Sequence, residues 1–162
     1  MGRIVRNAET SDIERIMEIY AIARNFMRNH DNPNQWNNNH PSREIVENDI
    51  RLQRNYVIEE NGTVEAVFYF AVEKDPTYDY IEGTWQNPDA EYGVIHRIAS
   101  SGNVKGVLES AVKFGAARAK DLRIDTHKDN YVMRNAILKN GFIECGIIYL
   151  RNGDPRIAYE RA

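Results

Sequence analysis

The chain contains one cysteine, Cys145, in 162 residues. That excludes an internal disulfide framework and a cysteine-based zinc site. No run of apolar residues approaches the roughly 18 that a membrane-spanning helix needs. The start, Met1-Gly2-Arg3-Ile4-Val5-Arg6, has no apolar h-region and does not read as a secretory signal. Arg6 also spoils the myristoylation pattern that Gly2 would open. Basic charge is in short supply: the formal net charge is -3, which argues against a general nucleic-acid binder but leaves room for a small basic pocket. Three motifs are missing as well: the phosphate-binding Gly-x-x-x-x-Gly-Lys-Ser/Thr, the dinucleotide fingerprint, and the Gly-x-Ser-x-Gly nucleophile elbow. The expectation is a cytoplasmic protein that binds neither membrane nor nucleic acid, as a monomer or homodimer.

The apolar share, 42%, and the charged share, 28%, are those of an ordinary globular domain. A strand is predicted over 3–7. Ser11-Asp12-Ile13-Glu14 reads as a capping box, and Ile13, Ile16, Met17, Tyr20, Ala23 and Met27 recur at helical spacing. Residues 30–41 form an Asn-rich loop carrying Trp36, and Ser42 is placed to cap a second helix. Asn61-Gly62 predicts a hairpin between strands over 56–58 and 64–72. An aromatic, irregular stretch (75–89) leads to a strand over 92–99. Val104, Val107, Leu108, Ala111, Val112 and Gly115 then fall on one helical face. A strand over 122–126, a helix capped by Asp129 or Asn130 and stopped at Asn140-Gly141, and a strand pair joined at Asn152-Gly153 complete the chain. The order β-α-α-β-β-β-α-β-α-β-β, with no repeat and no linker, predicts one α/β domain over 1–162 built on a mixed sheet.

The segment 95–108 is the most informative. A strand runs out in Ala99, Ser100 and Ser101, and Gly102 and Gly106 frame the entry to a helix. Such a turn presents backbone N–H groups and the positive end of a helix dipole to an anion, and Lys105 adds a charge. Taken alone, small residues at a strand-to-helix turn also serve purely structural ends. With Asn130 and Asn140-Gly141-Phe142 downstream, however, the segment resembles the GNAT (general-control-related N-acetyltransferase) superfamily. Asn103-Val104-Lys105-Gly106-Val107-Leu108 stands where that family has Arg/Gln-x-x-Gly-x-Gly/Ala. Gly106 keeps the central glycine, whereas Asn103 and Leu108 depart from the pattern. A rival register centres on Gly102. Residues 96–99, 125–130 and 145–159 are similar to a poorly characterised bacterial branch of the superfamily.

The resemblance implies an acetyl-CoA-dependent N-acetyltransferase. The co-substrate would be held by Arg97, Ile98 and Ala99 on a strand edge, by the loop Ser101, Gly102, Asn103, Val104, Lys105, Gly106, Val107 and Leu108, and by Asn130. No metal is required. The acceptor would be a primary amine of a small molecule, amino acid or peptide. Many family members place a tyrosine acid seven residues after the asparagine; here that position is Ile137. Tyr149 is the substitute expected on the sequence, Glu82 and His96 compete for the general base, and Trp36, Tyr78 and Tyr80 are candidate walls of the acceptor pocket. Each also has a plain packing or solvation role open to it. The missing tyrosine keeps an alternative open: a GNAT-fold acyl-CoA sensor or partner module without turnover. Asp125, His127 and Asp129 read better as strand-end and cap residues than as a metal site, and Cys145 reads as packing.

Overall fold

The computed structural model of the chain describes residues 2–36 and 39–162. Strand β1 (Arg3–Asn7) leads through a single 3-10 turn (Thr10–Asp12) into α1 (Ile13–Asn29). Here the structure corrects the predicted cap. Ser11 lies inside the 3-10 turn, and Asp12 accepts the Glu9 amide at 2.7 Å while pairing with Arg6 at 2.8 Å. The ion pair with β1 holds Asp12 at the helix entry, so the cap falls two residues earlier than the Ser-x-x-Glu pattern suggests. Helix α2 (Arg43–Arg51) starts as expected, with Ser42 Oγ accepting the Ile45 amide at 3.2 Å.

Strands β2 (Asn55–Glu60) and β3 (Thr63–Val72) form the hairpin that Asn61-Gly62 announces, with φ of 53° and 86° at its two turn residues. The aromatic stretch adds one element beyond the predicted order, the two-residue strand β4 (Glu82–Gly83). Then come β5 (Gly93–Ser100), α3 (Val107–Ala116), β6 (Leu122–Thr126), α4 (Tyr131–Lys139), β7 (Ile143–Tyr149) and β8 (Pro155–Arg161). The strands form one sheet of order β1-β2-β3-β5-β6-β8-β7-β4, and β5–β6 pair in parallel while their neighbours pair antiparallel. Helix α3 makes the crossover between them, as the short β-α-β spacing requires.

The period-2 alternation along the central strands sends apolar side chains to both faces. On one face Phe68, Phe70, Ile95 and Ile124 pack with Leu108, Ala111 and Val112 of α3 and Ile137 of α4. On the other face, Val57, Val67 and Ala99 meet Ile16, Ile19 and Tyr20 of α1 and Val46 of α2. A third cluster, with Tyr78, Trp85 and Tyr92, seats the aromatic stretch on Val94, Ile148 and Ala158.

The sheet is continuous at β5–β6 for only two residue pairs, Gly93↔Leu122 and Val94↔Arg123. Beyond them the strands part. The cause lies in β5: Arg97 has φ 49°, and the register with β3 shifts between Val67 and Tyr69. A bulge bends its strand and adds twist. Strand β6 meanwhile stays paired with β8 along all of Leu122–Thr126. One strand bends, the other is held straight, and a V-shaped opening results.

Candidate active site

A cleft of about 420 Å³ lies at this opening. Its floor is made by residues 95–98 of β5 and 124–126 of β6; Asn130 and Met133 of α4 close one side, and Trp36, Gln35 and His40 of the long loop after α1 cross another. Tyr20 donates its hydroxyl to the Arg97 carbonyl at 2.8 Å, so α1 clamps the bulge that creates the cleft.

His96 projects into the cleft between two carboxylates. Its Nε2 lies 2.6 Å from Asp75 Oδ2, and its Nδ1 lies 3.8 Å from Asp125 Oδ2. Asp75 is fixed in turn by the Thr77 amide and hydroxyl, at 2.9 and 2.7 Å. Burial by itself would raise the Asp75 carboxyl, but the hydrogen bond and charge of His96, with the Thr77 donors, bring it down to about 2. Asp125 accepts the hydroxyl of Tyr78 at 2.6 Å. Tyr78 is fully buried, and burial together with the Asp125 charge pushes its phenol well above the usual value, so it remains a donor. With Nε2–H donated to Asp75, the Nδ1 lone pair of His96 faces the cleft side of the cluster. An imidazole oriented by a carboxylate in this way can take a proton from an attacking group.

Arg97, Arg151 and Arg156 also line the cleft. Arg97 pairs with Asp49 of α2 at 2.7 and 3.1 Å and lies over the Tyr69 ring. Arg156 opens β8 and donates to the carbonyls of Pro155 and Gln35 at 2.8 and 3.0 Å. The Gln35 side chain ties the crossing loop to the far rim: its Oε1 accepts from Asn130 Nδ2 at 3.0 Å and from Thr126 Oγ1 at 3.2 Å.

Between β5 and α3 the loop 101–106 turns away from the cleft. Its first half is anchored. Ser101 donates its amide to the Glu65 carbonyl, the Gly102 amide goes to Ser100 Oγ, and the Asn103 amide goes to Ser101 Oγ, all within 3.1 Å. Its second half ends in Gly106, the N-cap of α3, with φ 71° and no side-chain cap on the helix. Arg3 holds the Gly106 carbonyl at 3.2 Å. The first-turn N–H groups of α3 therefore start from a residue without a side chain, the arrangement in which a helix terminus accepts an anion. Lys105 is exposed beside it, while Leu108 is buried in the core and can contribute only backbone to this end.

The residues singled out from the sequence fall into three groups. Trp36, His96, Arg97, Ile98 and Asn130 line the cleft. Tyr78 stands behind it and reaches it through Asp125, while Ala99 packs its side chain against the α1–α2 core. Glu82, Tyr149 and Tyr80 are elsewhere. Tyr149 donates to Glu82 at 2.7 Å on the exposed edge where β4 joins β7, and Tyr80 stacks loosely over Tyr149. None of the three lines the cleft. The β4–β7 pairing explains the displacement, because it carries Glu82 to the outer edge of the sheet, four strands beyond β5. Trp36 has both roles considered for it: it packs edge-on against Tyr20 and also faces the cleft. Sequence reasoning missed Asp75 and Arg156 altogether and read Asp125 as a strand-end residue. Asp75 carried no motif, and its meeting with His96 depends on how the aromatic stretch folds back. Asp125 did carry a signal, the alternation of β6, which puts Ile124 and Asp125 on opposite faces.

Asp125, His127 and Asp129 do not converge. Asp125 faces His96 and Tyr78, whereas His127 Nδ1 accepts the Asp129 amide at 3.1 Å. Burial raises the thiol of Cys145, which suits a packing role.

Solved structures share this architecture. An acetyltransferase of the GNAT family from Streptococcus agalactiae superposes with a TM-score of 0.88 at 27% identity, over 99% of this chain and 95% of that one. A GNAT-family acetyltransferase from Listeria monocytogenes gives 0.71 at 16% identity, over 98% and 94%. AAC(6')-Ib, solved in complex with ribostamycin and coenzyme A, gives 0.66 at 16% identity, over 100% and 94%. No family model and no curated protein sequence matches the chain. The bulged β5, the parted β6 and the full-length superposition together place the chain in the GNAT superfamily.

Proposed function

We propose that the protein is an N-acetyltransferase that moves an acetyl group from acetyl-CoA to a primary amine by direct transfer in a ternary complex. The observation that carries this reading is the opening between β5 and β6 with the His96–Asp75–Asp125 cluster on its wall. Acetyl-CoA supplies the activated acyl group. The free edge of β5 at Ile98 and Ala99, Asn130, and the second half of the loop, Val104 to Leu108, are the groups suited to hold it. Gly106 fits the central glycine better than Gly102. Gly106 caps α3, whereas the amides of Gly102 and Asn103 are already taken by serine hydroxyls.

In the proposed reaction the acceptor amine enters beside His96 and gives its proton to Nδ1 as it attacks. Asp75 holds the imidazole in the required tautomer and offsets the positive charge that forms. Asp125, kept in place by Tyr78, receives the incoming ammonium and orients it before deprotonation. Ile137, where the usual tyrosine acid would stand, is fully buried in the core. Tyr69 is the one tyrosine on the cleft wall among the described residues, and it is engaged with Glu73 and Arg54. The leaving thiolate would take its proton from water.

Isothermal titration with acetyl-CoA tests the reading: binding in the micromolar range is expected, and no binding up to millimolar concentration would overturn it. Gly106→Asp should abolish that binding, because φ 71° strains any side chain and a carboxylate would stand beside phosphate. The loss of the acid position at Ile137 favours a second reading, an acyl-CoA sensor without turnover. Acetylated product from any amine in a broad panel removes it.

A further inference from the structure

We infer that the acceptor carries an anionic group, a carboxylate or a phosphate, beside its amine, and that Arg156 is the residue that receives it. This deepens the acetyltransferase reading and rests on it.

Arg156 is 6% exposed and lines the same cleft as His96. Its guanidinium has donors fixed in a planar fork, and its two hydrogen bonds go to neutral carbonyls, those of Pro155 and Gln35. Among the described residues no carboxylate stands within 4.0 Å of it. A buried charge with no ionic partner is costly, and the donor fork of a guanidinium suits a carboxylate or phosphate. The other buried arginine, Arg123, and the half-buried Arg97 each stand beside a carboxylate. Arg97 is matched by Asp49 at 2.7 Å, and Arg123 by Glu160 at 3.4 Å. Arg156 alone of these three faces the cleft with no carboxylate in ion-pair contact; the charges of Asp125 and Asp154 act on it only from beyond that distance.

The local field points the same way. His40, also on the cleft wall, is held below its usual pKa first by burial and then by the charges of Arg97, Arg156 and Arg24. Two acids of the cleft, Asp75 and Asp125, are gathered at His96. The charges of Asp125 and Asp154 act on Arg156 from beyond contact, so the acids at His96 and the guanidinium lie within reach of one small molecule. An amine docked against Asp125 and His96, with its anionic group on Arg156, satisfies both ends. A purely cationic polyamine satisfies one and is repelled by the other.

The test compares matched pairs as acceptors for the intact protein with saturating acetyl-CoA: the standard amino acids against their amides, and phosphoethanolamine against ethanolamine. The inference expects at least one anionic member to be acetylated with kcat/KM tenfold or more above its neutral partner. The amino-acid arm identifies a carboxylate and the ethanolamine arm a phosphate. Arg156→Gln should lower kcat/KM for the anionic member at least tenfold more than for the neutral one, and Arg156→Lys should retain part of the preference. Acetyl-CoA affinity, titrated separately on the same variants, should stay within twofold of the parent. Equal use of both members of every pair overturns the inference, and so does a panel in which no anionic amine reacts although acetyl-CoA binds. A tenfold loss of acetyl-CoA affinity in Arg156→Gln also overturns it, assigning the guanidinium to the co-substrate instead. If the parent does not bind acetyl-CoA at all, the acetyltransferase reading itself has failed, and the titration separates that outcome from the others. Arg156→Lys covers the case in which the glutamine variant does not fold.

Discussion

At the scale of single residues, the pair His96–Asp75 carries the proposed chemistry, and its two members have separable effects. His96→Gln removes the proton acceptor and should lower kcat by about a hundredfold or more, measured as CoA release at saturating amine. Asp75→Asn leaves the imidazole in place but unsupported and should lower kcat less, with KM little changed; a variant as active as the parent would show that His96 acts alone. Asp75 also makes a statement about stability. Its carboxyl is held at about 2 in the folded protein against a usual 3.8. The unfolded chain therefore binds the proton more tightly, and the stabilisation from this site is complete above about pH 5 and is lost as the pH falls toward 2. Urea unfolding of the parent and of Asp75→Asn should differ most near neutral pH and converge below about pH 2. A constant difference across that range would mean the shift is absent.

At the scale of elements, the start of α4 and the cleft rim meet in one residue. Asn130 caps the helix by accepting the Met133 amide at 3.0 Å, and its Nδ2 binds Gln35 across the cleft rim. One side chain thus caps the helix through its oxygen and ties the crossing loop through its nitrogen. Asn130→Ala loses both. The missing cap should cost about 1 kcal/mol, a fall in Tm of roughly 2–4 °C for a domain of this size, and acetyl-CoA affinity should drop with it. Asn130→Ser keeps a capping oxygen and lacks the amide nitrogen, so it should recover the Tm and not the affinity. A serine variant that binds acetyl-CoA like the parent would leave Asn130 with a cap role only. The same division of labour appears in β5, where the bulge at Arg97 serves the cleft at the expense of regular pairing with β3.

At the scale of the whole molecule, the half of the sheet beyond the opening is held by a buried charged cluster. Arg123 lies 4.0 Å from the ring centres of both Trp85 and Tyr92 and 3.4 Å from Glu160, which is fully buried. Arg123→Met would leave the Glu160 carboxylate uncompensated and should cost about 3–5 kcal/mol, read by urea unfolding; Glu160→Gln added to it should restore part of the loss. Beside them, burial and the hydrogen bond and charge of Glu160 raise the Asp121 carboxyl to about 6. Here the folded state binds the proton more tightly, so the stability from this site is greatest below about pH 4 and declines as the pH rises through 6. Asp121→Asn should flatten the stability profile between pH 4 and 7, and an unchanged profile would place the titration elsewhere. Apart from the short strand β4, the element order was legible from periodicity and turn residues: Asn61-Gly62, Asn140-Gly141 and Ser42 all fall where the chain turns or a helix begins. The site was legible only in part. His96 and Asn130 stand out because each sits at a motif on its own strand or helix. Glu82 and Tyr149 stand out for the same local reasons and yet meet each other at the sheet's outer edge.

What the sequence by itself determined is what local chemistry decides: helices where apolar residues recur at 3.6, strands where they alternate, stops at glycine and asparagine, and a helix entry framed by Gly102 and Gly106. What only the tertiary structure decided is which distant side chains share a cavity. Asp75 reaches His96 because β3 pairs with β5 and the chain just past β3 is held back over β5, its Asp75 amide donated to the Tyr92 hydroxyl. Arg156 faces the cleft because β8 is inserted between β6 and β7. The physical reason is that backbone preference and hydrophobic period act over a few residues. The pairing of strands far apart in the chain is selected by burial of the whole core, and the contacts between their polar side chains exist only once that core has formed.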